Sequence, residues 1–279
     1  MSEAITSVDK VELPDSNILR QITAHAKERV ALAKNSASLS QIRQRALDLP
    51  TGDFAFEQAI GKAGLSFICE MKKASPSKGV IAQDFPYLRI AGEYESAFAD
   101  AISVLTEPKW FLGNAEILAQ VSAAVNIPTL RKDFIVDEYQ IYEAKTLGTS
   151  AVLLIVSILA QNQLFEYINV ARELGLSALV EAHDAKEIEA AIDAGARMIG
   201  VNNRNLKDFT VDTRNSANLR RHIPPGVLFV AESGIKTPED IRAMLKINAD
   251  AVLIGEAMMK AADKTGFLST LRNSALRND

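Results

Sequence analysis

The chain has 279 residues, enough for an enzyme-sized domain, and its mildly acidic net charge of -4 gives no electrostatic reason to expect nucleic acid or an anionic membrane as partner. A single cysteine, Cys69, excludes an internal disulfide framework. Neither an apolar run of about 18 residues nor a hydrophobic signal core occurs, so a cytoplasmic location is expected.

Residues 1–50 are expected to form a helical extension, and residues 51–279 the main body of what is one domain overall. Apolar positions at helical spacing predict a helix over residues 17–34, and a second helix is expected over residues 38–49. His25, which lies in the first of these helices, is expected to be a surface or packing residue.

Eight short apolar runs follow, each of a length that is typical of a buried strand. They cover residues 65–69, 101–105, 128–130, 151–156, 178–180, 198–201, 227–230 and 251–254. Amphipathic segments of helical length separate them, such as residues 185–195, which end on a glycine suited to a helix C-terminus. Strands that alternate with helices predict an α/β fold with a parallel sheet, and about 250 residues is typical of a (β/α)8 TIM barrel. An open, doubly wound sheet is the competing architecture.

A barrel leaves three positions open for the N-terminal extension. Helices that precede the first strand could plug the bottom of the barrel, close over its top or contact another subunit. The sequence of residues 1–50 does not choose among these positions.

Charged and amide side chains stand at the C-terminal ends of five predicted strands, where barrels of this kind build their active sites. Glu70 and Lys72 end the first strand and, being two residues apart, share one of its faces. Cys69 lies on the opposite face and is expected to be a small core residue. The other polar residues follow the third, fifth, sixth and seventh strands: Lys132, Glu181, Asn202, Arg204 and Glu232. One such residue is usually solvated, but their convergence at one end of a barrel predicts an active site.

Small residues at other strand ends predict a phosphate site. Ser233 and Gly234 follow the seventh strand and Gly255 follows the eighth, where the loops of these barrels commonly bind phosphate through backbone N–H groups. Ser75, in the turn after the first strand, offers a hydroxyl donor from the adjoining side. The alternative is that the two glycines only allow tight turns between strand and helix.

Six segments at the strand ends form an ordered set: residues 69–79, 102–107, 130–134, 179–181, 200–206 and 232–235. Any one of them would be a weak signal, because many phosphate-binding barrels end a strand in Glu-Ser-Gly. Together, and across essentially the whole chain, they resemble the indole-3-glycerol-phosphate synthase family of tryptophan biosynthesis.

The resemblance implies a reaction. The family closes the ring of 1-(2-carboxyphenylamino)-1-deoxyribulose 5-phosphate, with loss of carbon dioxide and water, to give indole-3-glycerol phosphate. No metal or organic cofactor is implied, and the three histidines and one cysteine form no cluster at metal-ligand spacing. The implied partner is a phosphorylated small molecule, and a loose association with other enzymes of the tryptophan pathway is allowed.

The resemblance also implies roles for the charged residues. Lys132 is the candidate acid that protonates the substrate ketone. Lys72, paired with Glu70, would lie near the substrate carboxylate and could share the acid role. Glu181 would be the second acid, for dehydration, with Glu70 as its partner. Glu232 would position the ammonium groups or hold substrate hydroxyls.

Further side chains would orient or enclose the substrate. Asn202 would orient its carboxylate and hydroxyl, with support from Arg204. An apolar pocket for the aromatic ring is expected to draw on four residues: Phe134, Trp110, Phe111 and Leu153. His183 and His222 are expected to be ordinary helix or loop residues.

Two other functions stay open. Another phosphate-binding isomerase barrel, such as phosphoribosylanthranilate isomerase, would share the fold, although the set of two lysines and three glutamates argues against it. A non-catalytic barrel subunit that binds a phosphorylated ligand would keep the pocket without turnover, and a turnover assay separates it from an enzyme.

Overall fold

The computed structural model describes residues 18–205 and 209–276. The strands are β1 (Ser66–Met71), β2 (Ala74–Ser75), β3 (Gly79–Val80), β4 (Ala101–Leu105), β5 (Thr129–Lys132), β6 (Ala151–Ile155), β7 (Ser177–Ala182), β8 (Met198–Asn202), β9 (Leu228–Glu232) and β10 (Ala251–Ile254). Strands β1 and β4 to β10 pair in parallel and close into a barrel, whereas β2 and β3 form a small antiparallel hairpin. The predicted TIM barrel is therefore confirmed. Several strands run two residues further than predicted, so the polar strand ends belong to the sheet itself.

The α-helices of the described ranges are α1 (Ile18–Ser36), α2 (Leu39–Leu47), α3 (Ala55–Ile60), α4 (Tyr87–Ser96), α5 (Ala115–Ala124), α6 (Tyr139–Thr146), α7 (Gln161–Glu173), α8 (Ala185–Asp193), α9 (Arg214–Leu219), α10 (Pro238–Lys246), α11 (Glu256–Lys260) and α12 (Lys264–Leu276). Helix α8 matches the predicted segment, and the side chain of Asp184 caps it by accepting the N–H of Glu187. None of the described helices is both long and apolar enough to cross a bilayer.

Strand register places the polar strand ends on the inner surface of the barrel. Glu181 is paired with Gly200, and Asn202 with Glu232, across neighbouring strands. Paired residues of parallel strands point the same way, and side chains alternate along each strand. Cys69, one residue before Glu70, is fully buried on the other side of β1, which confirms it as a core residue. Burial raises the pKa of its thiol and keeps it protonated.

Helix α3 and the segment before it seal the bottom of the barrel. Phe56 and Ile60 are fully buried there, and the Ile60 carbonyl accepts the hydroxyl of Ser66 at the start of β1. Gly52 and Gly175 lie so close that a Cβ on either residue would overlap the backbone of the other. The two glycines are thus required by backbone approach below the barrel, on the side away from the polar strand ends.

Helix α1 lies over the top of the barrel, which is one of the three positions left open by the sequence. His25 Nδ1 lies 3.2 Å from Oε1 of Glu107, just after β4. Arg29 donates two hydrogen bonds, of 2.7 and 3.2 Å, to the carboxylate of Asp133, just after β5. His25 is therefore a packing residue, since it also meets the ring of Trp110 edge to face at 5.5 Å. Residue 17, the predicted start of this helix, lies outside the described residues.

Candidate active site

The strand ends bring one lysine against two carboxylates inside the barrel mouth. Lys132, at the end of β5, places Nζ 3.2 Å from Oε2 of Glu181 on β7 and 3.6 Å from Oε2 of Glu232 on β9. Burial alone would lower the pKa of Lys132, but the carboxylates of Glu181, Glu232 and Glu70 raise it above the ordinary lysine value. Lys132 is therefore an ammonium group at neutral pH and has a proton to donate.

A second ion pair lies beside the first. Lys72 Nζ donates to Oε1 of Glu70 at 2.5 Å, so the two side chains share a face as their spacing predicted. Burial alone would raise the pKa of Glu70, but the ammonium groups of Lys72 and Lys132 outweigh it and hold the pKa below the ordinary value. Gly255 makes room for this pair, because a Cβ there would overlap Oε1 of Glu70.

Glu181 is surrounded by donors. Besides Lys132, the amide of Asn202 donates to its Oε1 at 3.1 Å, and His183 Nε2 lies 3.4 Å from the same oxygen. Burial alone would raise the pKa of Glu181, but Lys132 and His183 hold it well below the ordinary range. Glu181 is thus ionised, and it must receive a proton before it can act as an acid.

Glu232 has the opposite electrostatic environment. Burial and the nearby carboxylates of Glu181 and Glu70 raise its pKa, and Lys132 only partly opposes them. Among the described residues, Oε1 of Glu232 has no hydrogen-bond partner. Gly200 leaves space for this oxygen, since a Cβ on Gly200 would overlap it. One carboxyl of the site therefore favours the protonated state while its neighbour Glu181 favours the charged state.

His183 is a residue of this site that the sequence reasoning missed. It was expected to be an ordinary helix or loop residue, but its ring lies between Glu181 and Glu187. The signal was available, because His183 follows Glu181 by two residues at a strand end and precedes Glu187 by one helical turn. His222, by contrast, is exposed in a short turn of 3-10 helix, as expected.

A mostly apolar cavity opens beside these charges. Phe111 and Phe134 line it with their ring centroids 6.1 Å apart, and α1 covers it with Ile18 and Ile22. Lys72 lies at its edge.

Two of the four residues expected for an aromatic pocket, Phe111 and Phe134, thus come together at this cavity. The other two, Trp110 and Leu153, lie against His25 and inside the barrel, respectively.

Polar groups from three loops surround the same cavity. Ser75 of the β2–β3 hairpin and Arg204 after β8 both line it, together with Glu256 at the start of α11, which the sequence reasoning did not single out. The backbone N–H of Arg204 donates to the side chain of Asn202 at 3.0 Å, and its guanidinium donates to the carbonyl of Phe209 at 3.2 Å. These bonds hold Arg204 against Asn202 and Phe209.

The turn after β9 has an unusual backbone. Ser233 has a φ of 68° and Gly234 a φ of 85°, both in the left-handed region, and such a conformation in a non-glycine residue is uncommon. The Ser233 carbonyl accepts the side-chain amide of Asn203 at 3.1 Å. A Cβ on Gly234 would lie 2.7 Å from Cγ1 of Val211. Gly234 is therefore required both by its dihedral angle and by close packing.

The described residues contain no group of three or more His, Cys, Asp or Glu side chains arranged to hold a metal ion. The fold and site together define an enzyme class. Partly buried lysines and buried carboxylates at the carboxyl ends of barrel strands, next to an aromatic cavity, belong to a (β/α)8-barrel enzyme that works by acid–base chemistry.

Comparisons with known proteins give the particular family. The sequence profile of the family Indole-3-glycerol phosphate synthase matches residues 19–271. The chain is 52% identical over 259 residues to the indole-3-glycerol phosphate synthase of Ruminiclostridium cellulolyticum, covering 92% of this chain and 100% of the relative. It is 50% identical over 257 residues to that of Endomicrobium trichonymphae, with coverage of 92% and 100%. The chain belongs to the indole-3-glycerol phosphate synthase family. Membership confirms the function expected from the sequence, that of a decarboxylating lyase in tryptophan biosynthesis.

Solved structures of low sequence identity show the fold alone. A thiamine phosphate pyrophosphorylase from Pyrococcus furiosus aligns with a TM-score of 0.59 at 16% identity and covers 76% of this chain and 96% of its own. A 3-hexulose-6-phosphate synthase from Salmonella typhimurium aligns with a TM-score of 0.60 at 15% identity and covers 77% and 100%. Both matches agree with the closed barrel described above.

Proposed function

We propose that this chain closes the pyrrole ring of indole-3-glycerol phosphate from the phosphorylated carboxyphenylamino-deoxyribulose, and that Lys132 is the acid of the closure. The observation that carries the proposal is the position of Lys132, whose ammonium group lies between Glu181 and Glu232 at the barrel mouth. A positive proton donor at this point suits a ketone oxygen on which negative charge develops.

In the first step, the aromatic carbon that bears the substrate carboxylate attacks the ketone. A carbon–carbon bond forms, the carbonyl electrons move onto oxygen, and Lys132 gives that oxygen a proton. The nitrogen lone pair of the aniline supplies the electrons and becomes an iminium. The carboxylates around Lys132 keep it charged until the oxygen becomes basic enough to take the proton.

In the second step, carbon dioxide leaves and its bonding electrons neutralise the iminium, which restores the aromatic ring. Lys72 lines the cavity and would lie near the substrate carboxylate in the approach to this step, and it could share the acid role with Lys132. Phe111 and Phe134 provide apolar surroundings, in which a neutral leaving group is favoured over a charged carboxylate.

In the third step, the new hydroxyl leaves as water with a second proton, and a base removes a proton from the neighbouring methylene carbon. Glu181 and Glu70 are the proposed pair for this exchange. Because Glu181 is held ionised, the proton it donates has to reach it first, and Lys132 at 3.2 Å is the adjacent ammonium. Two protons are delivered and one is recovered, so each turnover takes up one solvent proton, as loss of a carboxylate as carbon dioxide requires.

The remaining site residues would bind the substrate. Asn202 and Arg204 would orient its carboxylate and hydroxyls, and Phe134 its aromatic ring. The phosphate would lie among the side chains and backbone N–H groups of Ser75, Ser233, Gly234 and Gly255. Support comes from the position of Ser75 and Arg204 at the cavity and from the left-handed turn at residues 233–234.

The experiment is a turnover assay that follows indole fluorescence after substrate is added to purified protein in EDTA. Lys132→Ala should reduce kcat by at least about 100-fold with the fold intact, because a general acid contributes that much. Lys186→Ala, an exposed lysine on α8, is the matched control and should keep wild-type activity. Near-normal turnover in Lys132→Ala would refute the assignment of the acid. Ligand binding without turnover in folded wild-type protein would instead favour a non-catalytic subunit.

A cytoplasmic location and a loose association with other enzymes of tryptophan biosynthesis also belong to the proposal. Cell fractionation tests the first. Co-purification at native expression level tests the second, and a chain recovered without any enzyme of the pathway would contradict it.

A further inference from the structure

The side chain of His183 lies between two carboxylates, one inside the candidate active site and one outside it. Nε2 is 3.4 Å from Oε1 of Glu181, and Nδ1 is 3.0 Å from Oε2 of Glu187 on α8. The backbone N–H of His183 also donates to Oε2 of Glu187 at 2.7 Å. His183 is therefore held by two hydrogen bonds to a single carboxylate, one from its ring and one from its backbone.

This geometry selects the charged form of the ring. A neutral imidazole would place a lone pair near one of the two carboxylates, whereas an imidazolium donates from Nδ1 to Glu187 and brings its positive charge within 3.4 Å of Glu181. Among the described residues Nε2 has no hydrogen-bond partner, so its contact with Glu181 is an ion pair. Burial alone would lower the pKa of His183, but Glu181 and Glu187 raise it to about 10. His183 is thus a cation throughout the neutral range.

Glu187 is itself fixed in place. It stands in the first turn of α8, where its backbone N–H donates to the capping side chain of Asp184 at 2.9 Å. A carboxylate in the first turn of a helix is favoured by the helix dipole. The contacts therefore run from Glu187 in the first turn of α8, through the ring of His183, to the carboxylate of Glu181.

Among the described residues, the other neighbours of His183 do not offer the ring a competing partner. Asn215 of α9 approaches the backbone carbonyl of His183, at 3.4 Å, and not the ring. Lys132 donates to Oε2 of Glu181, and Asn202 donates to Oε1, the oxygen that His183 also approaches. Glu232 on β9 is influenced by the positive charge of His183 but contacts Lys132.

We propose that His183 is a positioning residue for the reaction: anchored by Glu187, its imidazolium fixes the carboxylate of Glu181 in the orientation that proton transfer requires. This inference rests on the proposed function of Glu181. It adds a residue outside the set of acids and bases, and it links the active site to the first turn of α8.

The test combines two variants with a matched control. Glu187→Gln keeps acceptor atoms for the ring and the backbone but removes the outer charge, so the pKa of His183 should fall by about 1 or more. The alkaline limb of the pH profile of kcat should then move to lower pH. Glu189→Gln removes the same charge from an exposed position on the same helix and should leave the limb in place.

His183→Gln should lower kcat by about tenfold with KM nearly unchanged, because the buried carboxylate of Glu181 loses an ion-pair partner 3.4 Å away. Adding Glu187→Gln to it should not move the alkaline limb further, since the titrating ring is gone. A limb that moves equally in Glu187→Gln and Glu189→Gln, or a kcat for His183→Gln equal to that of wild type, would overturn the proposal.

An NMR titration of the His183 ring separates this inference from the proposed reaction. The signal of His183 is assigned by its loss in His183→Gln, and its pKa is measured in wild type and Glu187→Gln without substrate. A pKa near neutrality in wild type overturns the inference whatever the enzyme does. Absence of turnover in wild type, with the titration as expected, would overturn the reaction assignment and the role of His183 in proton transfer. The position of the charged ring between Glu181 and Glu187 would still be established.

Discussion

Gly200→Ala is expected to damage the active site by adding one methyl group to the inner surface of the barrel. Gly200 on β8 stands next to Glu232, and a Cβ there would overlap Oε1 of that carboxylate. To restore an ordinary contact of 3.4 Å, the oxygen must move by about 1 Å. Because Glu232 is only 2% exposed, it has no open route into solvent and must turn within the site.

The magnitude follows from the geometry of proton transfer. Glu232 positions the ammonium group of Lys132, and a misplacement of about 1 Å in an active site costs about 100-fold in rate, which is about 2.7 kcal/mol of transition-state stabilisation. The strand itself should persist, since the three atoms nearest to the new Cβ belong to the side chains of Glu232 and Leu179. We therefore expect kcat to fall by about 100-fold while the far-ultraviolet circular dichroism spectrum stays that of wild type.

Gly92→Ala is the matched control. Gly92 lies in α4, and no described atom lies within 4 Å of a Cβ built there. The change should keep kcat and add about 0.5–1 kcal/mol to the free energy of unfolding, because alanine favours a helix over glycine. If Gly200→Ala is folded and turns over within threefold of wild type, the position of Glu232 does not matter to the rate and the reasoning fails.

Two further changes separate stability from binding. Glu232→Gln should raise the melting temperature by an amount that grows as pH rises from about 5 to about 8, because a raised carboxyl pKa makes the wild-type protein lose stability above the unfolded-state pKa. A gain that is constant with pH would contradict the raised pKa. Gly234→Ala should raise KM by about tenfold, since a left-handed φ of 85° and the contact with Val211 force the turn after β9 to shift. An unchanged KM would count against a phosphate site at this turn.

The barrel and the location of its charged residues could be predicted because both depend on local pattern. Apolar runs marked the strands, and a spacing of two residues was enough to place Glu70 and Lys72 on one face. Because parallel strands close into a barrel, their carboxyl ends meet at one end of it, and Lys132 lies next to Glu181 and Glu232. The rule that active sites lie at the carboxyl ends of barrel strands needs no distances.

The proton content of the site could not be predicted, because it depends on distances across the barrel. Glu181 and Glu232 both end buried strands, and nothing in their local sequence distinguishes them. Two hydrogen-bond donors, Lys132 and Asn202, and the nearby ring of His183 hold Glu181 ionised, while Glu232 has an unpartnered oxygen within the described structure and favours the proton. The spacing of His183 from Glu181 and Glu187 was visible in the sequence, but the charge of its ring depends on the distances to both carboxylates in the folded β7–α8 loop.

The position of α1 likewise depends on contacts between residues that are far apart in the chain. Its polar attachments reach Glu107 and Asp133, which follow β4 and β5. Glu107 is fully buried and accepts the backbone N–H groups of Lys109, Trp110 and Phe111. One carboxylate therefore shapes the loop that carries Phe111 to the cavity and also contacts the helix above it.

Asp133 links helix α1, which covers the site, to the strand end that carries Lys132. It directly follows Lys132, and while Lys132 points to the barrel centre, Asp133 accepts hydrogen bonds from Arg29 on α1, from Arg131 and from Thr106. A buried carboxylate that loses a charged partner is costly, so these bonds favour the docked position of α1. Since α1 supplies part of the apolar lining, the docked helix completes the cavity on that side. At the end of β5, a residue that carries the chemistry, Lys132, is thus followed directly by a residue that docks α1, Asp133.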